Sequence, residues 1–258
     1  MNTPVAGEST TREEASRQPH AVLDLPSRQL KGLKIERLLG LESRPQPIRM
    51  LEVGTGSGGI AYYFGRHAKL RCEVDAVDVV DNRLVEDGYR FQRVQGTRLP
   101  FADGSFDVVL TNHVIEHVGE EREQRAHLAE IHRVLRPDGV GYLAVPNRWM
   151  LVEPHYKLAF LSWLPRRWRT PYLRAMKKGR DYDCEPLQML QLESLLDDAG
   201  FRFSNLCIEA ARATLDIEKK GSVLAGVLRR MPDRVIAPFR CLIPTLIYRI
   251  ERSACVNR

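Results

Sequence analysis

The chain has 258 residues, 43% of them hydrophobic, with a formal net charge of +6 and a pI near 9.2. That composition suits one large globular domain, or a domain with a substantial insertion, and excludes a disordered or fibrous chain. No window holds about 18 uninterrupted apolar residues, which argues against a spanning helix. The five cysteines include no C-x-x-C pair, so they read as reduced thiols rather than a zinc ribbon or a disulfide framework. Cytoplasm is the expected compartment, and the excess positive charge suits either an anionic partner or a well-solvated surface.

Residues 1–27 are polar, mixed in charge and without the apolar core of a secretory signal, so they read as a disordered tail before a domain over 28–258. Arg28 to Leu41 carries Leu30, Leu33, Leu38 and Leu39 at helical spacing before the breaker Arg44-Pro45-Gln46-Pro47. Ile48 to Val53 predicts a first strand, Gly59 to Ala68 a helix, and Cys72 to Asp78 a second strand with an acidic end. Phe91 to Gln95 and Phe106 to Thr111 follow as strands, the latter apolar enough to be covered on both faces. Glu121 to Leu135 is helical, closed by Arg136-Pro137-Asp138-Gly139, and Val140 to Val145 is a fifth strand. A helix over Gln188 to Ala199, strands over Phe201 to Ile208 and Thr245 to Glu251, and the alternation of the whole predict a doubly wound α/β sheet of Rossmann-like type, helices on both faces. Two segments interrupt the rhythm: a lid insertion over 147–182, and a basic, apolar segment over 219–242 that is expected to be helical and is broken by Pro232 and Pro238.

The organising stretch is MLEVGTGSGGI, Met50 to Ile60. Its glycines permit a sharp turn that delivers free backbone N–H groups and a helix N-terminus to one point. Gly54-x-Gly56-x-x-Gly59, with Asp78 about 20 residues on, fits a dinucleotide fingerprint. Glu52-x-Gly54-x-Gly56-x-Gly58 equally resembles the first motif of the class I methyltransferases that use S-adenosylmethionine, in which an acidic residue at the strand end faces the cationic methionine part of the cofactor. An NAD-dependent oxidoreductase therefore stands beside the methyltransferase reading, although no half with a hydride-transfer acid is evident, and a non-catalytic protein retaining the fold stands as a further alternative.

The stretches LEVGTGSGGIA, VDAVDVVDNR, GTRLPFADGSFDVVLTNHVIEHV and HLAEIHRVLRPDGVGYLAVPNRW cover roughly 48 to 148. Together they resemble the class I S-adenosylmethionine-dependent methyltransferases, in particular the small-molecule and lipid branch related to the ubiquinone-pathway enzymes. The resemblance implies a seven-stranded, mostly parallel sheet with its last strand antiparallel, and S-adenosylmethionine as cofactor. It also implies a cofactor site in which Glu52, Gly54, Gly56 and Gly58 surround the methionine part. Asp78 would take the ribose hydroxyls, Thr97, Arg98 and Leu99 would lie along the adenine, and Asn112 and His113 would close the methionine side. The family usually carries an acidic residue where this chain has Thr97, a weaker acceptor for the adenine amino group.

His113-x-x-Glu116-His117 matches the pattern of an inverted zinc protease, but Val118-Gly119 interrupts the helix such a protease needs. Some methyltransferase relatives bind a divalent ion with a Glu/His cluster here. His113 stands where they keep a carboxylate, and no metal ligand is assigned. For a hydroxyl acceptor the expected base is His117 or His113, then His155, because imidazole titrates in the right range. The acceptor is expected to be a small molecule or a lipid- or glycan-linked compound. Phe160, Leu161, Trp163, Leu164 and Trp168, interleaved with Arg166, Arg167 and Arg169, suit a peripheral membrane contact through 160–169 and 219–242, or else a lid packed on the sheet. No nucleic-acid module is present in the sequence.

Overall fold

The computed structural model describes residues 24–153, 155–218, 226 and 231–253. The apolar runs become β1 (Ile48–Val53), β2 (Cys72–Asp78), β3 (Arg90–Arg93), β4 (Phe106–Asn112) and β5 (Leu135–Pro146). After a two-stranded hairpin, β6 (Val152–Glu153) and β7 (Leu158–Ala159), come β8 (Phe201–Asn205) and β9 (Thr245–Arg252). Seven of these form one sheet in the order β3-β2-β1-β4-β5-β9-β8. β9 runs antiparallel to both of its neighbours, and the pairings from β3 through to β5 are parallel. The sheet is the doubly wound, Rossmann-like arrangement expected from the sequence, with its order reversing between β1 and β4, where such sheets bind ligands.

Helices α1 (Leu25–Leu39), α2 (Gly59–Gly65) and α6 (Cys207–Glu218) cover one face, where Ile35, Phe64 and Ala210 pack with Met50, Val74 and Val108. On the other, α3 (Glu121–Val134) and α5 (Met189–Asp198) bring Leu128, Ile131 and Leu196 against Leu51, Val109 and Leu143. Successive side chains of a strand point to opposite faces. Ile48 and Met50 lie with α1 and α2, Leu51 and Val53 with α3, and Glu52 is in phase with Met50. The first helix crosses close over the second because Gly59 has no side chain: a Cβ there would sit 2.6 Å from Arg28 Cβ. This approach carries Ser27, Arg28 and Lys31 to the ligand end of the sheet.

Several boundaries differ from the sequence reading. Of residues 1–27, 1–23 lie outside the described residues, while Leu25 to Ser27 already form the first turn of α1, with Pro26 in the position where a missing N–H costs nothing. Gly40, at φ 63°, ends that helix. The Arg136-Pro137-Asp138-Gly139 stretch lies inside β5: Leu135 already pairs with Phe106, and the register shifts before Val108 pairs with Val140. Ile208 belongs to a helix rather than to β8. Asn205 Oδ1 accepts the Cys207 N–H at 3.1 Å and starts α6, an Asx turn that outcompetes the strand. In the 219–242 segment, 219–225 and 227–230 lie outside the described residues; α7 (Asp233–Ile236) and a 3-10 turn over Ala237–Leu242 are helical.

The insertion folds on itself. Tyr156, Leu158, Leu161 and Leu173 form a small apolar cluster, with Tyr172 and Tyr182 against it, binding the β6–β7 hairpin to α4 (Arg166–Ala175). Backbone bonds Glu185 N to Glu116 O, 2.8 Å, and Arg148 N to Leu187 O, 3.0 Å, fasten it to the sheet end.

The packing of α3 on the sheet rests on fully buried Ile131. Ile131→Ala should lower unfolding free energy by about 2–5 kcal/mol, measured by urea denaturation.

Candidate functional site

The turn after β1 is built from residues with positive φ: Gly54 at 74°, Gly56 at 54° and Gly58 at 77°. A Cβ on Gly54 would stand 2.4 Å from Val114 Cγ2, so strain and crowding both exclude a side chain. Glu52, 2% exposed, holds this turn from beneath. Its Oε2 accepts the Thr55 hydroxyl at 2.7 Å and the Ala61 N–H of α2 at 3.0 Å. Burial pushes its carboxyl up to about 8, opposed by those two hydrogen bonds and by the charge of Arg28. Asp78, at the end of β2, receives the Gly56 N–H on Oδ2 at 2.8 Å and the Val79 N–H on Oδ1 at 2.7 Å. The two carboxylates thus fix the turn from both sides.

These groups line a cavity of about 1040 Å³, large enough for a drug-sized ligand together with a second molecule. Glu52, Gly54, Gly56, Asp78, Thr97, Leu99, Asn112 and His113 all line it, as do His117 and His155. Two residues of the expected cofactor set do not. Gly58 lies behind the turn as the N-cap of α2, and Arg98 lies in a separate depression with Phe101, Glu130 and Arg133. The cavity is a fit for S-adenosylmethionine on one local observation above all: Asn112 Oδ1 is buried without a hydrogen-bond partner among the described residues, an acceptor suited to an ammonium donor. Buried Glu52 would supply the counter-charge, and Asp78 the acceptors for a vicinal diol.

At the other end of the cavity the three expected histidines do converge. His113 adopts φ 59°, unusual for a residue with a side chain, and its N–H bonds Ala144 O at 2.8 Å, pinning the end of β4 to β5. Ring centroids of His155 lie 5.5 Å from His117 and 6.5 Å from His113. Glu116, 1% exposed, sits beneath them, with Oε1 3.3 Å from His113 Nδ1 and 3.9 Å from His117 Nε2. Burial holds His113 below the usual imidazole range against the pull of Glu116, so it stands neutral at neutral pH.

His155 is different. Its Nδ1 lies 2.6 Å from Glu153 Oε1, and Glu153 Oε2 accepts the Tyr156 N–H at 2.7 Å. Burial alone would lower the His155 pKa, but the Glu153 hydrogen bond and the charges of Glu153, Glu116 and Asp183 outweigh it and raise it. Glu153 carries no motif, and only its place two residues before His155 could have signalled it. Glu116, His117 and His155 hold potential metal-donor atoms within 4.8 Å of one another, and Cys184 Sγ lies 3.7 Å from His117 Nδ1, so these are the groups that could hold a divalent cation.

Residues 51–143 match the family described as a methyltransferase domain. An uncharacterized methyltransferase of Mycobacterium sp. strain JLS is 36% identical over 105 residues, 40% of each chain. The chain thus spans less than half the length of that curated relative. The ubiquinone biosynthesis O-methyltransferase of Ruegeria pomeroyi is 30% identical over 161 residues, 56% of this chain and 60% of that one. Among solved structures, a chain from the complex of the Haloferax volcanii Trm112 methyltransferase activator with a methyltransferase superposes with a TM-score of 0.53 at 15% identity, covering 89% of this chain and 96% of that chain. At that identity the likeness concerns the fold.

A carboxyl raised from 4.5 to about 8 by folding adds stability that is complete below the unfolded value and lost as pH rises through the folded one. Relative to the parent, Glu52→Gln, which keeps an acceptor oxygen, should therefore gain stability progressively as pH rises from about 4.5 to about 8, measured by chemical unfolding. The glycine turn, the acidic strand ends and the sheet order agree with the fold that the resemblance to class I S-adenosylmethionine-dependent methyltransferases implies, and residues 51–143 match a methyltransferase domain.

Proposed function

We propose that the protein transfers the methyl group of S-adenosylmethionine to a hydroxyl of a small-molecule, lipid-linked or glycan acceptor held beneath the 147–182 lid. The observation that carries this reading is His155, which lines the same cavity as the glycine turn while its Nδ1 is held by Glu153. Bound cofactor supplies an electrophilic methyl carbon on its sulfonium. Glu52 and Asn112 would hold its charged methionine part, Asp78 its ribose, and Thr97 and Leu99 would flank its adenine, all of them lining the cavity. Donation from His155 Nδ1 to Glu153 leaves Nε2 as the basic nitrogen. On methyl transfer, the acceptor hydroxyl would give its proton to His155 Nε2. Tyr156 and Tyr182, which line the cavity and contact one another with ring centroids 5.7 Å apart, exclude water from the acceptor side.

Of the three histidines, His155 is the best base, because its carboxylate partner stabilises the imidazolium that forms, whereas His113 is held neutral by burial. The close donor set of Glu116, His117 and His155 favours a second reading, in which a divalent cation there lowers the pKa of the acceptor hydroxyl.

His155→Ala should lower kcat by about 100-fold or more with unchanged S-adenosylmethionine affinity. A base works only when deprotonated, so a raised His155 pKa puts the acid limb of kcat/KM above about 6.5, and Glu153→Gln should move that limb down. Full activity of the His155, His113 and His117 variants alike would contradict general-base catalysis. Loss of activity on chelation, restored by a divalent cation, would select the second reading.

A further inference from the structure

The lid distributes its residues in a way that the acceptor pocket does not explain. Between Arg148 and Tyr182 there are nine Lys and Arg against two Asp and Glu, a net of +7, where the whole chain carries +6. The rest of the protein therefore sums close to neutral, the basic 219–242 segment being offset by acidic residues elsewhere. The lid holds all three tryptophans of the chain, Trp149, Trp163 and Trp168. They are 36%, 38% and 56% exposed, while the apolar cluster of the lid is formed by other residues.

The exposed aromatics are organised. Trp163 makes edge contacts with Trp149, centroids 5.6 Å apart, and with Phe160, 5.3 Å, and its Nε1–H donates to Met150 O at 2.8 Å. Its polar edge is satisfied inward, and its ring is presented outward beside Leu151, Val152 and Phe160, which are 61%, 53% and 52% exposed. The β6–β7 hairpin has two faces by strand alternation. Glu153 and Leu158, at 1% and 4% exposed, turn inward, and the paired Val152 and Ala159 turn outward. Five bulky apolar side chains grouped on one hairpin of a water-facing lid exceed the scattered exposure of ordinary surfaces. On the same segment Lys157, Arg167, Lys177, Lys178 and Arg180 are exposed and pair with no acid among the described residues, Lys157 and Lys178 also lining the cavity.

We infer that the outer face of the β6–β7 hairpin, with Trp163, seats on an anionic lipid bilayer, opening the cavity toward an acceptor that resides in that bilayer. Tryptophan and phenylalanine settle at the headgroup level, and lysine and arginine beside them meet the negative surface potential. No helix among the described residues is long and apolar enough to cross a membrane, so the contact is peripheral. Charge complementarity favours a lipid surface with net negative charge over a neutral one. The inner face of the same hairpin carries Glu153 and leads into His155 and Lys157, which line the cavity. Seating the outer face therefore sets the catalytic end of the cavity beside the interface. The inference deepens the proposed function by naming where the acceptor is met.

The test is co-sedimentation of the full chain with vesicles of phosphatidylcholine alone and of equimolar phosphatidylcholine and phosphatidylglycerol, at low salt, with S-adenosylmethionine titrated into the same preparations. Binding is expected to the mixed vesicles only. It should weaken about tenfold or more in the Phe160→Ser, Trp163→Gln pair and in the Arg167→Glu, Lys177→Glu pair, with cofactor binding unchanged in both. Absence of sedimentation with mixed vesicles, or sedimentation that survives both pairs of substitutions, overturns the docking inference. Either result in a protein that still binds S-adenosylmethionine leaves the methyltransferase reading standing, whereas loss of cofactor binding in the parent is the failure of that reading instead.

Discussion

A carboxylate buried at the end of the central strand is the constraint on which the site depends. The alternation of β1 turns Glu52 toward α1 and α2, out of phase with Leu51 and Val53. There it meets an N–H of the second helix and the Thr55 hydroxyl of the glycine turn. One oxygen thereby ties strand, turn and helix together. The same burial that makes the carboxyl reluctant to ionise makes it a strong partner for a cation brought to the turn, because charge interacts more strongly where water is excluded. Stability of the empty site and affinity for a positively charged ligand are thus set against each other in one residue. Asp78 completes the frame from β2, and its hydrogen bonds from Gly56 and Val79 hold the turn in the register that the second carboxylate requires.

The rest of the molecule divides the labour around this frame. The sheet and its two helical layers give a rigid floor, and the crossing of α1 over Gly59 brings Arg28 and Lys31 to the rim. The lid, with its own apolar cluster, contributes His155, Tyr156 and Tyr182 to the roof. Its attachment is more polar than that of the layers. Arg166 and Arg169 both reach Glu185, and Arg166 also pairs with Glu120. An attachment made largely of ion pairs and a few backbone bonds is the kind expected of an element that moves as a unit, since half-exposed ion pairs contribute little stability. The ion-paired attachment and the basic character of the lid thus lie on the same segment.

The fold was readable in the sequence because its signals are local. Ile48 to Val53, Cys72 to Asp78 and Phe106 to Thr111 carry apolar strand patterns with acidic or polar ends, and the glycines of the turn have no other economical conformation. What the local pattern could not supply were contacts between distant segments. The register shift beside Phe106 and the approach of Arg28 to Gly59 each depend on a partner elsewhere in the structure. The histidines illustrate the boundary well. Their chemistry was visible, and position after β4 singled out His113 and His117. The ranking of His155 changes only with the sight of Glu153 at 2.6 Å, a pairing within a hairpin whose existence the sequence did not announce. Arg98, which the family resemblance placed along the adenine beside Thr97, instead lines a separate depression with Glu130 and Arg133. Exposure of the lid aromatics was the other open matter, since Trp163 and Leu161 look alike in sequence and only one of them is buried.

The central claim is that the glycine turn with Glu52 beneath it receives a cationic methionine rather than a pyrophosphate. Calorimetric titration of the purified full chain with S-adenosylmethionine and, separately, with NAD addresses this directly. Saturable binding of S-adenosylmethionine at one site per chain, with no heat from NAD, is the predicted result; binding of NAD with none of S-adenosylmethionine would contradict it.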